Sequence, residues 1–371
     1  MKKYLLIIII IFSIISCSSP SENNPVENDL DKKIGQMLLI GFRGMELSDT
    51  SSIVKDIQNE RIGGVILFDV DVALKRTPRN IESPMQLKKL INQIKSYSKT
   101  PLFISVDQEG GNVCRLKEKY GFPKSVTQKY LGDLNIVDTT RYWGALTANT
   151  LSEMGFNLNF APVVDLNINP DNPVIGMYER SFSADTNIVI NNARIIIEEH
   201  KKRNISCTIK HFPGHGSSTA DSHQGLVDVT NTWREIELIP FKKLISEKKI
   251  DVIMTAHIFN ANLDANYPAT LSHNVMTGIL RNQLQFDGVI ISDDMNMKAI
   301  SDFYGLETAI ELAINAGVDI IMFANNISYD ENIATKAISI IKQLIKDGKI
   351  SKERINESYN RIRKLKNKVL A

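Results

Sequence analysis

The sequence is poor in cysteine, lacks an apolar run long enough to cross a bilayer as a helix, and carries almost no excess of either charge. Three cysteines in 371 residues are too few for a disulfide framework. Cys17 stands apart near the N-terminus. The strand pattern below puts Cys114 beyond the end of one strand and Cys207 at the beginning of another, so these two are expected to stay unpaired. The apolar stretch from Tyr4 to Ile15, interrupted at Ser13, falls short of the roughly 20 residues a spanning helix needs. Of 44 basic and 42 acidic residues, Lys2 and Lys3 precede that stretch, and the rest of the chain is balanced. Balance argues against a nucleic-acid partner. There is also no glycine-rich dinucleotide fingerprint, no repeat at a fixed period and no second linker, which disfavours a nicotinamide-type cofactor, a solenoid and a separate second domain.

What is present begins with a leader. Lys2 and Lys3 followed by Tyr4 to Ile15 read as a secretory signal, and Ile14-Ile15-Ser16-Cys17 resembles a bacterial lipobox, in which the cysteine becomes the lipidated first residue. Residues 1–16 are therefore expected to be a signal peptide, and residues 17–29, rich in Ser, Pro, Asn and acids, a flexible tether from lipidated Cys17. An exported protein held at a membrane of the cell envelope follows, with Ser18 compatible with an outer membrane where the cell has one. Folding should begin near Leu30. The basic run from Lys346 to Lys368 carries Ile355, Tyr359, Ile362 and Leu365 at helical spacing, which predicts an amphipathic closing helix with a solvated basic face.

Between these ends, short apolar β-branched runs alternate with segments of helical period. The strand candidates are Gln36 to Phe42, Gly64 to Phe68, Leu102 to Val106, Asn159 to Val164, Thr208 to His211, Val252 to Ala256, Val289 to Ser292 and Asp319 to Ala324. Leu87, Leu90, Ile91 and Ile94 keep helical spacing, as do Ile190, Ala193, Ile196 and Ile197. Eight alternating units over residues 30–371 predict an α/β fold, a single (β/α)8 TIM-type barrel, with an open doubly wound sheet as the alternative. Polar residues follow most of the strands directly: Asp107-Gln108-Glu109-Gly110-Gly111, Asp165, Phe212-Pro213-Gly214-His215-Gly216, His257 and Asp293-Asp294. In a barrel these carboxyl ends converge on one face.

Three segments carry chemistry. Val289 to Asp294 ends a buried strand in two carboxylates, of which alternation lets one address the barrel mouth, where a carboxylate can attack an anomeric carbon. Helix capping from Met295 onward is the competing explanation. Lys210-His211-Phe212-Pro213-Gly214-His215-Gly216-Ser217-Ser218-Thr219-Ala220-Asp221-Ser222-His223 places three histidines, a lysine and an aspartate in one glycine-bearing loop. Its spacing matches no standard zinc pattern and its lysine would repel a cation, so no metal is expected. Asp221 stands two residues before His223 and can orient it, which makes two members of a triad without a serine nucleophile on an elbow. Asp107 and Arg115 offer an acceptor and a donor that suit sugar hydroxyls, or else a salt bridge that stiffens their loop.

Together, Asp107-Gln108-Glu109-Gly110-Gly111, the Lys210 to His223 loop, Met254-Thr255-Ala256-His257 and Ser292-Asp293-Asp294-Met295 resemble the β-N-acetylhexosaminidase branch of glycoside hydrolase family 3, over essentially all of Leu30 to Ala371. The resemblance implies the same barrel, Asp293 as nucleophile, and His223 paired with Asp221 as acid/base. It also implies that Asp107, Arg115, Arg180, Lys210 and His211 bind the sugar, with no cofactor. The segment from Gly176 to Arg180 is longer than in many such proteins, Asn112 stands where arginine is frequent, and Ser217-Ser218 replace a common Asp-Thr. The implied reaction is retaining removal of terminal N-acetylglucosamine from peptidoglycan fragments or chitooligosaccharides. A phosphorylase that passes the sugar to phosphate, and a sugar-binding lipoprotein without turnover, are the alternatives. Sequence gives no oligomeric state.

Overall fold

Eight short strands with every residue buried run parallel around a ring: β1 (Leu38–Gly41), β2 (Gly64–Ile66), β3 (Phe103–Val106), β4 (Leu158–Asn159), β5 (Ser206–Phe212), β6 (Val252–Thr255), β7 (Val289–Ile291) and β8 (Ile321–Phe323). The computed structural model describes residues 25–370. Neighbours follow chain order, β8 lies beside β1 with Leu38 opposite Ile321, and a parallel bridge between Ile291 and Ile320 joins β7 to the entrance of β8. The ring is closed, as a (β/α)8 barrel requires, and the open doubly wound sheet is ruled out.

Burial explains why these strands read as unbroken apolar runs. Both faces are covered, one by the barrel interior and one by helices, so polar alternation disappears. The covering helices are α1 (Pro25–Gln36), α2 (Ser52–Gln58), α3 (Pro84–Tyr97), α4 (Gln128–Leu134), α5 (Val137–Met154), α6 (Thr186–Lys201), α7 (Ile239–Ser246), α8 (Asn274–Gln283, wound as a π-helix), α9 (Lys298–Ser301), α10 (Leu306–Ala316), α11 (Ile333–Lys346) and α12 (Lys352–Val369). Local chemistry sets several of their starts. The Ser83 hydroxyl accepts from Gln86 N with Pro84 in the first turn of α3, whose Leu87, Leu90, Ile91 and Ile94 are buried. Asp185 caps α6 by accepting from the backbone of Asn187 and Ile188. Each fully buried leucine or isoleucine on such a face contributes about 1.5–3 kcal/mol. Among the described residues no helix is long and apolar enough to cross a membrane.

The structure departs from expectation at several places. α1 starts at Pro25, inside the segment expected to be tether, because proline at the first helical position supplies a preset φ and Asp29 pairs with Lys33 one turn on. Cys17 and the signal peptide lie outside the described residues. The fourth strand is only Leu158–Asn159, not Asn159 to Val164, since Pro162 has no N–H to give a ladder; Val163 bridges Lys210 singly. The closing helix forms as α12, with Ile355, Ile362 and Leu365 buried, but it starts at Lys352 rather than Lys346, which ends α11; Gly348 takes a φ of 72° in the turn between them. A two-stranded parallel pair, Val227–Asp228 with Ile258–Phe259, was not foreseen. Cys114 and Cys207 are buried and free, as anticipated.

At the floor of the barrel, the buried carboxylate of Asp319 fastens the closing helix. It accepts from Arg281 at 2.5 Å, Arg354 at 3.0 Å, Arg361 at 3.2 Å and Ser358 Oγ at 2.8 Å. The opposite end of the strands is left open to the loops that build the site.

Candidate active site

A cavity of about 220 Å³ opens at the carboxyl ends of the strands. Ile66, Phe68, Met254 and Met322 supply apolar surface, and Asp107, Glu109, Arg115, Arg180, Lys210, His211, His223 and Asp293 line it with polar groups. An apolar wall with a few converging polar groups is the usual form of a small-ligand site. All five residues expected to bind sugar border it.

β3 delivers Asp107 and Glu109 on the same side, because residues two apart in extended chain point alike. β5 delivers both Lys210 and His211, which a regular strand would aim apart; the pairing with β6 shifts register between Ile209 and Phe212, and this irregularity re-aims the two side chains. Lys210 Nζ lies 2.9 Å from Asp107 Oδ1 and 2.7 Å from Glu109 Oε1. Arg115 reaches Asp107 Oδ2 at 3.4 Å, so the pair is at once a loop brace and part of the cavity wall. Arg180 grips Glu109 with two parallel bonds of 2.8 and 2.7 Å and donates to Val174 O at 3.1 Å. Burial pushes the Asp107 and Glu109 carboxyls up, but Lys210 beside both, Arg115 beside Asp107 and Arg180 beside Glu109 outweigh it and hold both below the usual range. Three cations against two carboxylates leave donors and acceptors together in one wall, the mixture that hydroxyl groups need.

His211 is held from both sides. Its Nδ1 donates to Asp165 Oδ2 at 2.7 Å, and Arg180 Nη2 lies 3.2 Å from its Nε2, which must therefore accept. Burial and the adjacent Arg180 keep its pKa well below 6.5, consistent with a neutral ring. Its neighbour His215 is also buried, with ring centroids 6.0 Å apart.

Across the cavity, Asp293 follows β7. Both Asp293 and Asp294 border the space, a correction to the expectation that only one would. They differ in what they touch. Asp294 Oδ1 accepts from Asn296 N at 3.0 Å and Ala324 N at 2.9 Å, so it does the turn-capping, ahead of α9. Burial pushes its carboxyl up to about 7. Among the described residues Asp293 accepts only from Asp294 N, at 2.8 Å; burial raises its carboxyl, but His257, His211 and His223 around it hold it below the ordinary 3.8. A cavity-facing carboxylate that stays ionised is a competent nucleophile.

The loop after β5 brings His223 to the same cavity. His223 Nδ1 and backbone N–H both bond Asp221 Oδ1, at 2.8 and 2.9 Å. Partial burial works against its charge, but the Asp221 bond and the Asp293 field raise its pKa above 6.5, while Asp221 falls to about 2 through its bond to His223. Two ionisable groups with pKa values pushed apart across one cavity, Asp293 down and His223 up, can serve as a nucleophile and a proton donor. Among the described residues no group of three or more His, Cys, Asp or Glu is placed to hold a metal ion.

Three supporting residues were not singled out as site residues in the sequence: Glu109, Asp165 and His215. Glu109 carried a signal, its spacing of two from Asp107. Asp165 was visible only as an acid after a strand, and its role depends on the fold bringing it under His211.

Residues 29–365 match the family model described as the glycosyl hydrolase family 3 N terminal domain. A beta-hexosaminidase A from Pseudoalteromonas piscicida is 33% identical over 337 residues, 83% of this chain and 54% of its own. A beta-hexosaminidase from Tolumonas auensis is 35% identical over 294 residues, covering 78% of this chain and 83% of the relative. Among solved structures, a glycoside hydrolase family 3 beta-N-acetylglucosaminidase from Paenibacillus sp. str. FPU-7 superposes with a TM-score of 0.83 at 34% identity, over 92% of this chain and 62% of that one. The chain thus spans about half to four fifths of the length of these relatives.

Proposed function

The chain belongs to glycosyl hydrolase family 3, and we propose that it is a retaining exo-β-N-acetylglucosaminidase. The observation that carries this reading is the sharing of one sugar-sized cavity by Asp293 and the Asp221-oriented His223. The names of the relatives support the same substrate class.

In the first half-reaction an Asp293 oxygen attacks C1, the bond from C1 to the leaving oxygen breaks, and that oxygen takes the His223 proton. In the second, water attacks C1, gives a proton to neutral His223, and Asp293 leaves as carboxylate. Asp107, Lys210, Arg180, Arg115 and His211 hold the hydroxyls of the ring undergoing attack. A volume that suits one ring supports cleavage at chain ends rather than within a polymer. The reading includes the substrate source: N-acetylglucosamine at the non-reducing end of peptidoglycan fragments, or of chitooligosaccharides, met by an exported protein anchored through Cys17. Incorporation of labelled fatty acid, lost in Cys17→Ala, tests the anchor.

The test of activity is release of sugar from an aryl β-N-acetylglucosaminide. Free N-acetylglucosamine is the expected product. A histidine proton carrier puts no extra negative charge beside the acceptor, which also favours a second reading, attack by phosphate. Sugar 1-phosphate formed in phosphate buffer would select that one, and no product from any N-acetylglucosaminide would contradict both.

A further inference from the structure

His215 makes no contact that the reaction above requires, yet every polar atom it has is engaged. Its N–H donates to Asp165 Oδ1 at 2.8 Å, and its carbonyl accepts from Asn172 Nδ2 at 2.7 Å. Ring Nδ1 lies 2.7 Å from Ser218 Oγ, and Nε2 lies 3.3 Å from Ser222 Oγ. The last contact joins the buried ring to the residue between Asp221 and His223. From Thr219 to Leu226, Ser222 is the one buried residue, and those on either side of it are partly or fully exposed. The tip of the loop thus enters the barrel mouth at a single point, and His215 Nε2 is the partner its hydroxyl finds there. Beyond this, Ser222 is tied by its carbonyl, which accepts from Ala299 N at 3.3 Å.

We propose that His215 is a positioning residue for the acid/base pair: by seating Ser222 it holds Asp221 and His223 at the cavity that Asp293 shares. Asp165 extends the connection. It accepts from the His215 backbone and from His211 Nδ1, so the wall that receives the sugar and the loop that supplies the proton hang from one buried carboxylate. The inference rests on the reading of Asp293 and His223 given above.

Proton donation depends on placement within hydrogen-bond reach, so an unseated loop weakens acid catalysis more than nucleophilic attack. A dinitrophenolate leaves without a proton, whereas a sugar or alkyl aglycone needs one. With the full chain, His215→Ala is expected to lower kcat/KM about 10- to 100-fold on a disaccharide or methyl N-acetylglucosaminide, part of the roughly 10²–10⁴ a general acid supplies. On the dinitrophenyl glycoside it should fall by less than about 3-fold, while kcat and KM drop together as glycosyl-enzyme waits for a base. Ser222→Ala, which leaves the packing around His215 in place, carries the same pattern, and the double variant should be no worse than His215→Ala alone. His215→Gln, which keeps a donor near Ser222, should recover part of the loss.

Equal losses on both leaving groups, or losses that multiply in the double variant, would overturn the proposal and leave His215 as a packing residue. Wild-type protein that cleaves neither substrate would instead remove the underlying reading of the site, and the positioning role with it.

Discussion

His223 Nδ1 donates to Asp221 Oδ1 across 2.8 Å, and its other ring nitrogen has no protein partner among the described residues. The ring is therefore oriented from one side and free on the side that meets the cavity. It is half-exposed, so its proton can exchange with water between the two half-reactions. Aspartate at that distance also favours the charged ring, which sets the direction of the first prediction.

The pH dependence of kcat/KM should be a bell with its acid limb below the ordinary carboxylate value, from Asp293, and its basic limb above 6.5, from His223. The proposed reaction needs Asp293 deprotonated and His223 protonated, so the lowered and raised pKa values widen the plateau in both directions. Asp221→Asn removes the anion that raises His223, and its basic limb should move down while kcat falls by up to about 10²–10⁴. An unmoved basic limb would show that some other group titrates there.

Arg180 holds Glu109 with two bonds, donates to Val174 O and abuts His211. Arg180→Lys cannot reproduce that fork. The expected result is a kcat/KM about 10- to 100-fold lower, the equivalent of one charge-assisted bond at about 1.5–3 kcal/mol. Steady-state kinetics together with thermal melting separate loss of sugar binding from loss of fold. Unchanged kinetics would mean that Glu109 and Lys210 keep the wall without it.

Asp319 is fully buried and bonded by three arginines and Ser358. Asp319→Ala leaves those cations facing one another without a counter-charge, and about 3–5 kcal/mol of stability should be lost. Urea unfolding measures this. A cost under about 1 kcal/mol would mean that the arginines find other partners.

Lys366 is buried with Nζ bonded to Gln36 Oε1 at 2.6 Å and Gly63 O at 2.7 Å, and burial lowers its pKa from 10.5 to about 7. The unfolded chain holds that proton up to its ordinary value, so between about pH 7 and 10.5 the unfolded state binds more protons and stability rises with pH through that window. In urea unfolding at pH 7 and pH 9, the wild type should gain more than Lys366→Met over the same interval. Parallel pH dependence in both would place the titration elsewhere.

How far the sequence led follows from which residues decide each feature. The barrel was legible because strands covered on both faces are continuous apolar runs, and because Asp107, Asp165, His257 and Asp293 all follow such runs directly. The fourth strand was misjudged since Val163 and Val164 have strand composition, while Pro162 denies them a ladder. The Val227–Asp228 pair is two residues long and exists only because Ile258–Phe259 passes beside it, which no local pattern records. In the site, Asp107, Lys210, His211 and Asp293 were legible from their position at strand ends and His223 from its spacing to Asp221, whereas Arg180 was implied by the family resemblance alone. Among the residues that hold them, Glu109 showed only its spacing from Asp107 and Asp165 only its place after a strand, because their partners Arg180 and His211 lie far away in sequence; His215, whose ring meets Ser218 and Ser222 nearby, gave no sign that it would turn inward. The start of α1 was hidden by its composition, which is that of a linker until Pro25 is recognised as a first helical residue.

In the proposed reaction Asp293 becomes covalently bonded to the sugar, and that bond is open to direct observation. The measurement mixes His223→Ala with a dinitrophenyl β-N-acetylglucosaminide, quenches in acid, and locates added mass by peptide mapping. One N-acetylhexosaminyl group is expected on the peptide that contains Asp293, and none when Asp293→Asn is added. A sugar adduct on another residue, or undiminished turnover by Asp293→Asn, would contradict it.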